Sequence, residues 1–162
     1  LRTYIGDSIN EERLFRGTIY DNISLGRPGI SLKSVIEIGE VVFLTSFVQE
    51  LQDGFNTIID PEGKNLPGSV ITKIMLARSL ACKSKLLLVA DLLNRLEPVE
   101  RLSIINFLVD KKHPWTLIAI SNSPEVAEKC DRVLLMKNGT IIQDGPYKSM
   151  SDKKLFSGLV TG

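Results

Sequence analysis

From Lys85 onward, short apolar runs alternate with stretches whose apolar residues recur every three or four positions, the pattern of β-α-β units around a buried parallel sheet. Lys85–Ala90 predicts the first strand. Pro98 stands where the first turn of a helix accepts it, and Val99, Leu102, Ile104, Ile105 and Leu108 follow at helical spacing. Glu97 and Glu100 lie near the positive end of the helix dipole, and the pattern predicts a helix to about Asp110. Trp115–Ile120 is expected as a second buried strand, and Ser123-Pro124-Glu125 opens a short helix ending near Lys129. Arg132–Met136 and Thr140–Gln143 flank Asn138-Gly139, a pair that tolerates positive φ and predicts a two-stranded hairpin. Tyr147–Leu159 has helical spacing and is expected to pack across the surface.

The first half has a different texture. Thr18–Leu25, Ser31–Ile38 and Val41–Leu51 read as short helices broken by Gly26, Pro28, Gly29 and Gly39, a mostly helical subdomain. Asp53-Gly54 makes a turn, Phe55–Ile59 a short extended piece, and Pro61–Gly68 a loop rich in breakers. Ser69–Cys82 then reads as one strongly amphipathic helix with Ile71, Ile74, Met75, Ala77 and Leu80 available for burial.

Composition excludes several classes. At 162 residues, with 43% hydrophobic and 24% charged, the chain suits one folded domain and not a disordered tract. A formal net charge of +1 provides no bulk field for nucleic acid or anionic lipid, so a general nucleic-acid binder is disfavoured. The longest apolar runs, Leu86–Ala90 and Leu117–Ile120, fall far short of the roughly 18 residues that span a bilayer. Cys82 and Cys130 have no second Cys or His at metal spacing and are expected as buried free thiols. His113, the sole histidine, precedes Pro114 and reads as a solvated loop residue; no Ser, His and acid constellation accompanies it. Leu1 begins without an initiator Met, a charged signal region or an apolar leader, which reads as an excerpt of a longer chain.

An ordered series of segments carries more. It runs Leu14-Phe15-Arg16-Gly17-Thr18-Ile19-Tyr20-Asp21-Asn22-Ile23, Leu25-Gly26-Arg27-Pro28, Leu51-Gln52-Asp53-Gly54-Phe55-Asn56-Thr57, and the stretch Glu62-Gly63 to Gly68. Ile74-Met75-Leu76-Ala77-Arg78-Ser79-Leu80, Cys130-Asp131-Arg132-Val133 and Lys137-Asn138-Gly139-Thr140-Ile141 to Gly145 complete it. In order and spacing the series resembles the C-terminal part of the nucleotide-binding domain of exporter-type ATP-binding cassette (ABC) transporters. The resemblance covers nearly the whole chain. It implies an α/β fold: a partial P-loop NTPase-like (RecA-like) parallel-sheet core with a helical subdomain. Residues 1–16 are then the end of a core segment, 17–70 the helical subdomain with the signature-loop region, and 71–162 the C-terminal part of the core.

Against that family the chemical positions depart. Phosphoryl transfer relies on positioning and charge neutralisation by a phosphate loop, a Lys, Mg²⁺ and a water-orienting base. No G-x-x-x-x-G-K-[ST] segment occurs between Leu1 and Gly162; in the family it lies upstream. Aligning Leu96-Glu97 with the family's D-loop acid puts Ala90 at the Mg²⁺ position and Asp91 at the catalytic Glu. Loss of one residue between them instead makes Asp91 the Mg²⁺ carboxylate and puts Leu92 at the base. Both alignments lose one acid, and a solvated acid at a strand end is the alternative reading of Asp91. The signature loop LSGGQ becomes Leu66-Pro67-Gly68-Ser69-Val70, for which simple helix initiation is the alternative. Asn122 stands at the switch-His position, where it can hydrogen-bond but cannot carry a proton's charge. Asn10 falls loosely at the Gln-loop position.

The resemblance therefore implies a degenerate nucleotide-binding domain, a non-hydrolytic or weakly hydrolytic scaffold or regulatory half coupled to a transmembrane transport domain. Thr18–Leu51 is the lobe expected to dock on that partner at the cytoplasmic face of the membrane, beside a second nucleotide-binding domain. ATP and Mg²⁺ are cofactors of the parent family, with little or none bound by this chain alone. A dimer or larger assembly is expected. The alternatives are an active ATP-hydrolysing exporter subunit whose phosphate loop lies upstream and whose base is Asp91, and a free-standing interaction module.

Overall fold

A computed structural model describes residues 5–7, 13–90 and 92–150. Its central strand is the apolar run β4 (Leu86–Ala90), which pairs in parallel with β1 (Ile5–Asp7) on one side and β5 (Thr116–Ile120) on the other. The register runs Ile5↔Leu86 and, across the second pair, Leu86↔Thr116 to Ala90↔Ile120. Parallel strands need a crossover, and α5 (Pro98–Leu108) supplies it between β4 and β5. Leu87 and Val89 of β4 share one core with Ile104, Ile105 and Leu108 of α5. β5 departs from the expected burial. Leu117 and Ala119 pack on the core, whereas Ile118 and Ile120 remain 49% and 51% exposed. Alternate strand residues point to opposite faces, and among the described residues no layer covers the second face and no strand pairs with the outer edge of β5.

In the first half, α1 (Ile19–Ser24) begins at a capping box in which Thr18 Oγ1 accepts from the Asp21 N–H and the Asp21 carboxylate accepts from the Thr18 N–H. The next helix, α2 (Leu32–Val41), is capped by Ser31 and runs straight through Gly39, so the predicted break there is displaced to Phe43, at φ 59°. Gly39 serves packing: an added Cβ would lie 2.9 Å from Cζ of Phe55. A short α3 (Thr45–Gln49) follows. Phe55 sits in a 3-10 turn, Gly54–Asn56, and not in the expected extended piece; only β3 (Ile58–Ile59) is extended, pairing antiparallel with β2 (Gly17–Thr18).

The predicted amphipathic helix forms as α4 (Gly68–Ala81), but it has no solvent stripe. Thr72, Lys73, Arg78 and Ser79 are buried along with Ile74, Leu76 and Ala77, because α1, α2, β1 and the turn after β4 all pack on it. Fully burying one side chain such as Ile74 contributes about 2 kcal/mol, and this helix carries the densest set in the core.

Beyond β5, α6 (Pro124–Lys129) leads into the predicted hairpin of β6 (Val133–Lys137) and β7 (Thr140–Gly145). Asn138 and Gly139 take φ 49° and 75° at its tip. Ala127, Leu135, Tyr147 and Met150 form a small second core. A single 3-10 turn, Tyr147–Ser149, replaces the start of the expected terminal helix, whose remainder lies outside the described residues. No helix of the described residues is long and apolar enough to cross a membrane.

Candidate functional site

The segment entering α4 is built on a glycine. Gly63 takes φ 64°, and a Cβ there would lie 3.1 Å from the side chains of Leu14 and Ile71, so a side chain in this turn would be strained and tightly packed. The Glu62 N–H donates to the Leu14 carbonyl at 2.8 Å, and the Leu66 N–H to the Gly63 carbonyl at 2.8 Å, which fixes Leu66 against the core. Pro67 then occupies the N-cap with extended backbone and no side-chain capping bond. Its carbonyl accepts from the N–H groups of Val70 (2.9 Å) and Ile71 (3.1 Å).

Pro67 and Gly68 are exposed, Ser69 is half-buried, and Val70 is only 5% exposed, its isopropyl group turned into the core. Nothing lies within 4 Å of the Cβ position of Gly68. The start of the helix is thus open to close approach, and its first N–H groups lack intrahelical acceptors. At the Gln position of the resembled loop, however, an apolar side chain points inward.

At the end of β4, half-buried Ala90 offers a methyl group, which cannot hold a water of a hydrated cation. Asp91 and Asn10 lie outside the described residues. The 3-10 turn Leu92–Arg95 leads to Glu97, which is exposed and precedes α5 without a side-chain capping bond. Asn122 is half-buried in the turn after β5, where the Ser123 N–H donates to Ser121 Oγ at 3.1 Å. No group of three His, Cys, Asp or Glu side chains gathers as a metal site among the described residues. Among the described residues, Ala90 at the end of β4 supplies no carboxylate for Mg²⁺.

A nearby ion pair escaped the sequence reading. Lys73 of α4 donates to Glu100 Oε1 of α5 at 2.7 Å, with side chains 10% and 22% exposed, and Glu100 Oε2 is buried with no hydrogen-bond partner among the described residues. Glu100 reads in sequence as a first-turn acid for the helix dipole; only packing brings Lys73 beneath it. His113 is also not the solvated residue expected. It is half-buried, stacked on Trp115 with ring centroids 4.2 Å apart and planes 8° apart. Among the described residues neither cysteine forms a disulfide, and both are half-buried. Burial, and then the charge of Asp131, push the Cys130 thiol up, while Cys82 Sγ receives the Arg27 guanidinium.

No family model matches the chain. Over 154 residues it is 29% identical to the alpha-hemolysin translocation ATP-binding protein HlyB of Escherichia coli O157:H7, an alignment covering 95% of this chain and 22% of that protein. It is 26% identical over 150 residues to the toxin RTX-I translocation ATP-binding protein of Actinobacillus pleuropneumoniae, covering 93% and 21%. The leukotoxin translocation ATP-binding protein LktB of Mannheimia glucosida is 27% identical over 150 residues, with the same coverage of 93% and 21%. The chain spans about a fifth of the length of these curated relatives. Among solved structures, a bacterial Atm1-family ABC exporter with ATP bound shares the fold with a TM-score of 0.87 at 20% identity, over 99% of this chain and 29% of that chain. By its fold and these similarities, the chain has an α/β, P-loop NTPase-like fold, similar in sequence to translocation ATP-binding proteins and in fold to an ABC exporter.

Proposed function

We propose that the chain is the C-terminal part of a degenerate ABC nucleotide-binding domain that acts as a non-hydrolytic or weakly hydrolytic scaffold, coupled to a transmembrane transport domain at the cytoplasmic face of a membrane. In this reading residues 17–70 form the helical subdomain, whose Thr18–Leu51 lobe docks on the transport domain. The remaining core faces a second nucleotide-binding domain, which supplies the competent ATP and Mg²⁺ site. The observation that carries it is the start of α4: Pro67 replaces a hydroxyl with a ring, and Val70 sends an apolar group into the core where phosphate recognition needs a polar one. Ala90 at the end of β4 supports the same reading, since one of the two acids needed there is lost. Scaffold segments such as Gly17-Thr18-Ile19 and Asp131-Arg132 persist beside these losses.

A second reading has its own support, because the relatives are ATP-binding proteins and the structural neighbour binds ATP. In it, Asp91 acts as base on ATP held by an upstream phosphate loop. Asp is one methylene shorter than Glu, and a misplacement of roughly 1 Å can cost about 10²-fold in rate, so turnover would be slow. ATP turnover by the intact parent, measured beside Asp91→Ala, decides. Background turnover in both supports the scaffold, whereas turnover that disappears in the variant overturns it in favour of a working ATPase.

A further inference from the structure

Between α2 and the core lies a cleft of about 200 Å³, walled by Ile38 of α2 and by Phe107 and Trp115 of the core, and rimmed by Glu37, Lys83 and His113. Its aromatic wall is fixed in place. The indole Nε1 donates to the Leu108 carbonyl at 3.0 Å, His113 stacks on the indole, and the Phe107 ring centroid lies 4.2 Å from His113 and 5.9 Å from Trp115. Among the described residues neither the Glu37 carboxylate nor the Lys83 ammonium has a hydrogen-bond or ion-pair partner, and they are of opposite sign. The volume exceeds the roughly 150 Å³ cavity that accepts a benzene ring.

An aromatic wall bordered by one unpaired anion and one unpaired cation is complementary to a molecule with an apolar ring and both charges. We infer that this cleft is a binding site for a zwitterionic amino acid with an aromatic side chain, its ammonium at Glu37, its carboxylate at Lys83 and its ring against Trp115. Such a ligand ties α2 to the end of α4 and to β5, the two sides of the cleft. This assignment does not rest on the nucleotide-related reading above.

Trp115 is the only tryptophan of the chain and reports directly on its own wall. Its fluorescence is titrated with L-phenylalanine, phenylacetate, phenethylamine and N-acetyl-phenylalaninamide. The expected result is a saturable change with L-phenylalanine at a Kd of about 1 mM, with each single-charge analogue and the blocked amide at least about fivefold weaker. Glu37→Gln and Lys83→Asn weaken L-phenylalanine by a similar factor; Asn accepts the φ of 46° at position 83. Absence of saturation up to about 20 mM overturns the assignment. So does binding that ignores both charges, or a blocked amide that binds as well as the amino acid, which would mark a cleft for a peptide side chain. The analogue series uses the unmodified chain, so a variant that fails to fold leaves the decision intact.

Discussion

Arg78 of α4 donates through Nε to the backbone carbonyl of Asn22 at 2.8 Å and through its guanidinium to the Asn22 side-chain oxygen at 3.3 Å. Asn22 in turn accepts from the Phe15 N–H and donates to the carbonyls of Phe15 and Thr18, all at 3.0 Å. One fully buried amide therefore joins the segment before β2, helix α1 and the central helix α4. Asn22→Ala removes one hydrogen bond of the guanidinium and leaves the Phe15 N–H and the carbonyls of Phe15 and Thr18 without their side-chain partner. It should lower stability by about 3 kcal/mol, read as a shift of the urea midpoint without loss of cooperativity.

Gly63 is confined both by its positive φ and by contacts at 3.1 Å to Leu14 and Ile71. Gly63→Ala should cost about 2 kcal/mol through strain and overpacking. Gly26→Ala, at φ 63° with nothing within 4 Å, pays only the backbone part and should cost about 1 kcal/mol. Equal losses in thermal unfolding would contradict the packing argument.

The Lys73–Glu100 pair links α4 to α5 in a largely buried setting. Lys73→Met leaves the carboxylate without its cation and should destabilise by about 2 kcal/mol, whereas Lys73→Met with Glu100→Leu should regain more than half of that loss. A double variant no better than the single one would show that the pair is not an energetic unit.

The Asp21 carboxylate is held below its ordinary pKa by the Thr18 hydroxyl and the Thr18 N–H it accepts from. A depressed carboxylate pKa contributes stability that is complete above the unfolded value of about 4 and is lost as pH falls through the folded value. Asp21→Asn should therefore reduce the difference in stability between pH 6 and pH 3. Asp144, held low by Arg132, adds to the same acid slope. Thr18→Ala should remove about 1 kcal/mol at neutral pH, measured by urea unfolding.

Among the described residues one face of the sheet is uncovered, with Ile118 and Ile120 half exposed, and the outer edge of β5 is unpaired, which predicts that the chain alone self-associates. Light scattering should report a dimer or larger species at high concentration. Ile118→Lys should shift the distribution toward monomer, and a monodisperse monomer of the unaltered chain would contradict the prediction.

The sequence by itself determined the element order. Pro98, Pro124, Asn138-Gly139 and the short apolar runs act locally, so β4, α5, β5, α6 and the hairpin stand within a residue or two of where periodicity puts them. The ordered motifs likewise carried the fold and the similarity to translocation ATP-binding proteins. Tertiary structure decided what lies next to what. Gly39 breaks nothing because Phe55 needs its space, α4 is buried all round because other elements pack on it from several sides, and His113 stacks on a tryptophan two residues away. The candidate site divides the same way: the substitutions at Pro67, Val70 and Ala90 were legible as letters, but the inward turn of Val70, the Lys73–Glu100 pair and the cleft beside Trp115 were not. Backbone preferences are set by neighbours in sequence, whereas burial and charge pairing depend on residues brought together by packing, whose separation along the chain no periodicity encodes.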